Sequence, residues 1–175
     1  MRWHWWPLLL IVLSMGVSIA LYHTGPWRFY AKAPLEVVAI VVASMGVACA
    51  LALAAVTRER LHLLLLGVAI TVLLRELPWD WTKAFAYVSL GAITVLAFVW
   101  HRRVFVEYLD RQPVTRAWFV STIIAYVLSQ AIARRVLISV LPDEEHIYSD
   151  MEELLEVVAH AMLVVTVLVG PWRRS

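Results

Sequence analysis

The chain has 175 residues, of which 62% are hydrophobic and 16% charged, and its mean hydropathy of +0.78 is too high for a soluble domain of this size. The formal net charge of +2 is small and the basic residues sit at segment ends, which excludes nucleic acid as a partner and bears instead on topology in a lipid bilayer. A single cysteine, Cys49, excludes an intrachain disulfide or a thiolate metal cluster and reads as a small residue at a helix interface.

Apolar runs at about 6–22, 34–56, 61–78, 83–100, 117–141 and 151–171 predict an all-α polytopic membrane protein, one domain (1–175) built as a bundle of six transmembrane helices. Tryptophan prefers the headgroup level, and all nine (Trp3, Trp5, Trp6, Trp27, Trp79, Trp81, Trp100, Trp118 and Trp172) fall at the ends of these runs. Orientation follows from the basic residues. Nine lie on one side (Arg2, Arg58, Arg60, Arg102, Arg103, Arg111, Arg116, Arg173 and Arg174), against six on the other (Arg28, Lys32, Arg75, Lys83, Arg134 and Arg135). This places both termini in the cytoplasm of a bacterial-type inner membrane.

The first run has an alternative reading as a signal peptide, with Ser18 and Ala20 as the small residues before a cut. The first and second runs each contain Ser-Met-Gly-Val, at 14–17 and 44–47. Their small residues at four-residue spacing, Ser14 with Ser18 and Gly46 with Ala50, predict close backbone approach rather than a duplication. After the second run, Glu59 and His62 have the Glu-x-x-His spacing of di-iron carboxylate sites. No second such pair exists, so no metal site is expected and the segment reads as a solvated cytoplasmic turn.

The third run ends at Pro78, with Arg75 three residues before it and about 20 Å above the cytoplasmic interface at 1.5 Å per residue. The fourth carries only Tyr87, Ser89 and Thr94 as polar members and reads as packing. Residues 101–116 read as a solvated loop facing the headgroups, with Gln112-Pro113 as its turn and Thr115 as a cap. On the fifth run Thr122, Tyr126, Gln130 and Arg134 recur every four residues and line one face, drifting about 40° per step.

The acidic stretch Asp143 to His160 runs into the last apolar segment, and Glu152, Glu153, Glu156 and His160 share an arc of about 100° on a helix. The apolar remainder, Val157 to Pro171, is shorter than the roughly 20 residues a bilayer requires, so Glu156 and His160 must lie within the membrane and have partners. Counted along straight helices, Arg134 and Glu156 both lie about 24 Å up and His160 about 18 Å. Arg75, Arg134, Glu156 and His160 are therefore expected in one polar layer, with both arginines within salt-bridge reach of Glu156. The candidate pocket comprises Arg75, Glu76, Asp80, Tyr126, Gln130, Arg134, Glu153, Glu156 and His160.

Three functions fit such a layer. A transport or binding protein would use Glu156 for a proton or cation and the arginines for a small ion or anionic headgroup. An enzyme would use Glu156 or His160 as general base. A non-catalytic subunit would use the ion pairs as glue and dock a membrane protein partner. Haem is a fourth reading that needs both His23 and His160, and the sequence assigns no cofactor. Phosphate-binding loops, nucleophile elbows and His-Glu-x-x-His motifs are absent from the sequence.

Overall fold

A computed structural model describes residues 4–24, 33–100, 102–136 and 145–169. Seven helices run in order: α1 (Pro7–Thr24), α2 (Ala33–Thr57), α3 (Arg60–Glu76), α4 (Asp80–Trp100), α5 (Arg102–Arg111), α6 (Pro113–Ala133) and α7 (Glu145–Val169). The described residues contain no strand. Proline sets several boundaries. Pro7 and Pro113 open α1 and α6, where a missing N–H costs nothing, and Leu77, the residue before Pro78, is extended (φ −73°, ψ 144°) and ends α3.

Among the described residues two helices, Pro34–Thr57 and Pro113–Ala133, are long and apolar enough to cross a membrane, while the apolar parts of α1 and α4, Pro7–Ala20 and Trp81–Ala97, are shorter. Length and composition thus identify two spans where the sequence predicts six. The shortfall in α3 and α7 has a chemical cause: α3 stops at 17 residues before Pro78, and α7 begins with a polar, acidic stretch.

Three boundaries differ from expectation. Residues 102–111, expected as loop, form α5, because Tyr108 and Leu109 are half-buried while Arg102, Arg103, Glu107 and Asp110 point outward. The fifth run, expected to reach 141, ends as α6 at Ala133. Its end is closed by two hydrogen bonds, Arg135 N to Ile132 O (2.8 Å) and Val136 N to Ala131 O (2.9 Å), with Arg135 left-handed at φ 54°. Residues 137–144, including Asp143 and Glu144, lie outside the described residues. The last helix begins at Glu145 rather than 151, and Tyr148 and Met151 in its first turns are buried.

Helix α7 packs against α1, α2, α3 and α6; α4 lies on α3, and α5 joins α4 to α6. One buried cluster combines Ile11, Trp118, Ala125, Ile132, Met151 and Leu155 from α1, α6 and α7. A second combines Ala43, Ala50, Leu53, Leu65, Ala69 and Leu163 from α2, α3 and α7. Small residues permit this approach: Ala39, Ala43, Gly46 and Ala50 form one buried stripe of α2, and a Cβ on Gly46 would stand 3.5 Å from Val164. Ser14 and Ser18 are buried too, each hydroxyl donating back to a carbonyl of its own helix.

The outward faces of α1, α2 and α4 are largely apolar. Val12, Leu13 and Val17 on α1, Val37, Val41 and Met45 on α2, and Phe85, Val88, Val95 and Val99 on α4 are all exposed. Trp79 and Trp81 are exposed and stacked at the α3–α4 turn, whereas Trp118 is buried with its ring edge-on to Trp6 at 4.9 Å.

Candidate functional site

Four helices bring polar groups to one end of the bundle. Near its C-terminal end α3 presents Arg75 and Glu76; one face of α6 presents Tyr126, Ser129 and Gln130; α7 presents Glu156 and His160 one turn apart; α4 adds Tyr87. Glu156 is 4% exposed, and its Oε1 accepts from three donors: Arg75 Nη2, Ser129 Oγ at 2.8 Å and Gln130 Nε2 at 3.2 Å. Gln130 in turn accepts from Tyr87 Oη at 3.4 Å. A carboxylate taken from water needs such compensation, and charge-assisted hydrogen bonds supply it.

A second pair lies one turn deeper. His160 Nε2 stands 3.3 Å from Glu76 Oε1, at ion-pair distance but without hydrogen-bond alignment, and its Nδ1 meets Tyr126 Oη at 3.1 Å. The simplest proton arrangement has the tyrosine hydroxyl donating to Nδ1 and the Nε2 proton directed at the Glu76 carboxylate.

These contacts border a cavity of about 710 Å³. Arg75, Glu76, Gln130, Arg134, Glu153 and Glu156 from the predicted set line it, joined by Glu36, Lys83, Tyr87 and Glu152, which the sequence reading did not select. Tyr126 and His160 sit behind the wall. Asp80 begins α4, and its side chain lies outside the described residues. Among the lining residues five carboxylates face three cations, so the cavity is polar and mixed in charge.

The structure separates the two arginines. Arg75 reaches Glu156, whereas Arg134 does not: α6 has already ended, and Arg134 serves as its C-cap, exposed on the cavity rim with no ion pair to a described residue. Depth counting failed here because the helical stripe ran past the true end of the helix. Ser129 was missed because it stands one residue off that stripe.

No family model matches this chain, and no curated protein or solved structure does either. The site must therefore be read from its own chemistry. Among the described residues no three His, Cys, Asp or Glu side chains converge as metal ligands do.

At the opposite end of α3, His62 corrects a second expectation. It is 1% exposed, not solvated. Its Nδ1 lies 2.5 Å from Thr57 Oγ1, whose own proton goes to Leu53 O at 2.8 Å, so Nδ1 carries the proton between them. Glu59 approaches to 3.7 Å but is itself half-exposed. This corner joins α2 to α3.

Proposed function

We propose that this chain is a multi-pass protein of a bacterial-type inner membrane whose outward cavity binds, and on alternating access transports, a small oxyanion or an anionic headgroup. Apolar side chains exposed on the long helices support the membrane reading, since a monomer in water rarely presents apolar patches beyond a few hundred Å². The exposed Trp79–Trp81 pair supports an interface at the α3–α4 turn. The excess of basic residues on the side of the termini supports a cytoplasmic location for both.

The observation that carries the ligand reading is that the Arg75–Glu156 pair borders open space. Ligand pockets occupy roughly 300–1,000 Å³, and this cavity, at about 710 Å³, falls within that range. Arg75 spends one nitrogen on Glu156, no second hydrogen bond joins its guanidinium to a described residue, and its side chain lines the cavity. A guanidinium edge is the preferred partner of carboxylate and phosphate oxygens. Lys83 and Arg134 add positive charge at the rim.

The test is binding of dimethyl phosphate by the full chain in phosphatidylcholine nanodiscs, read as a rise in melting temperature. Arg134→Gln together with Lys83→Gln should weaken binding several-fold without changing the melting of the ligand-free protein, because both side chains are exposed. A melting temperature indifferent to the anion sinks this reading.

A second reading has its own support: three donors from α3 and α6 converge on a nearly buried Glu156, the arrangement that holds helices in register. In that case the protein is a structural or partner-binding subunit, and pulling on Glu156 changes stability alone.

A further inference from the structure

Glu156 is used asymmetrically. All three donors meet Oε1, while Oε2 accepts from no described residue and the side chain borders the cavity. Arg75 is asymmetric in the matching sense, with one nitrogen on Glu156 and its other N–H groups unengaged among the described residues. We propose that Glu156 takes up one proton at Oε2 each time an oxyanion binds the open edge of Arg75, so that the anion and a proton enter the cavity together. This rests on the cavity reading above and adds the identity of its coupled ion.

The reason is charge. An oxyanion on Arg75 beside an ionised Glu156 places two negative charges against one guanidinium in a nearly buried site. Like charges sharing such a site drive one of them to take a proton. Before binding, the pair holds one positive and one negative charge. Afterwards Arg75 and the anion hold the same two, and Glu156 is neutral. One O–H bond forms, to a proton delivered by cavity water, and no bond in the ligand breaks. Oε1 becomes the carbonyl oxygen of a neutral acid and still accepts from Ser129 and Gln130.

Other titratable groups face the cavity from α2, α3, α4, α6 and α7, while α1, which also packs on α7, lends no described side chain to its lining. From α2 comes Glu36, and from α3 comes Glu76, which is committed to His160 one turn deeper. From α4 come Lys83 and Tyr87, and from α6 come Arg134 and Tyr126, the last held by His160. On α7 itself Glu152 and Glu153 line the mouth, more open to water than Glu156. Among the described residues Glu156 alone combines near-complete burial, direct contact with Arg75 and an oxygen that accepts from none of them.

The experiment uses dimethyl phosphate, whose single charge does not change over the range studied, with the full chain in phosphatidylcholine nanodiscs. Affinity should rise as pH falls, by up to about tenfold per pH unit, the slope for one linked proton. Glu156→Gln mimics the protonated acid: its amide oxygen can take the place of Oε1 and its NH₂ that of Oε2. It should bind with a flat pH profile, and Glu76→Gln should keep the wild-type slope. Should Glu156→Gln fail to fold, wild-type protein in weak buffer decides the matter by proton uptake: one proton per anion bound supports coupling, and none overturns it. A flat wild-type profile, or a slope surviving in Glu156→Gln, also overturns it while leaving the cavity reading intact. No binding at any pH overturns both. Phosphatidylglycerol in the discs separates the sources: competition with dimethyl phosphate assigns the anion to a lipid headgroup, an unchanged titration assigns it to a free ion, and either supports the coupling.

Discussion

Burying a carboxylate is tolerable only while its partner stays, so Arg75 and Glu156 should be expendable together and costly apart. Arg75→Leu leaves Glu156 with Ser129 and Gln130 alone and is expected to cost about 3–5 kcal/mol, whereas Arg75→Leu with Glu156→Leu should recover most of that loss. Arg134→Ala, at an exposed C-cap, should stay within about 0.5 kcal/mol of wild type. Melting temperatures in one detergent compare all three, and an equal effect of the two arginines would refute the assignment. Tyr108 on α5 offers a pH-dependent counterpart. Burial, and then the Glu59 carboxylate, push its hydroxyl up to about 12. Because the folded value is raised, its contribution to stability is complete below the ordinary tyrosine range near 10 and is lost as pH rises through about 12. Glu59→Gln should move its ultraviolet titration toward the ordinary value. The contact between Arg75 and Glu156 was legible at this scale because ionisable groups inside apolar runs must find partners, and Gln130 was legible from its place on a four-residue polar stripe. Ser129 was not legible, since a helical hydroxyl can equally bond back to its own backbone, as Thr122 does to Trp118 O at 2.8 Å.

Where helices stop is decided by local backbone chemistry that hydropathy does not register. Arg58 and Arg135 both adopt φ 54°, a left-handed conformation that costs an L-residue roughly 1–2 kcal/mol and that glycine adopts freely. Arg58→Gly should therefore raise stability by about 1 kcal/mol; a drop in melting temperature would mean that the arginine side chain holds the α2–α3 turn. The same chemistry explains why α6 was drawn too long: the run Val136 to Leu141 is apolar enough to continue a span, but the two closing hydrogen bonds end it at Ala133. Helix α5 was overlooked for the opposite reason. Its charges were weighed without their period, although Tyr108 and Leu109 lie on one side of a ten-residue helix and the charged residues on the other. The start of α7 escaped because residues 145–150 are polar, yet Tyr148 faces the core.

At the scale of the whole molecule, the proposed topology makes a plain prediction. A reporter active only outside the cytoplasm should stay silent when fused after Ser175 and become active when inserted within residues 143–150; the reverse pattern would invert the bundle. The position of α7 carries a further consequence, for synthesis. It packs against α1, α2, α3 and α6, yet it follows all of them in the chain. In the proposed topology, while α7 is still inside the ribosome the earlier helices have entered the lipid with Arg75, Ser129 and Gln130 lacking Glu156 and Tyr126 lacking His160. Unsatisfied polar groups in hydrocarbon are costly. On that topology the polar layer is complete only once α7 supplies Glu156 and His160, so a chain truncated before Glu156 should be lost from the membrane faster than the full one.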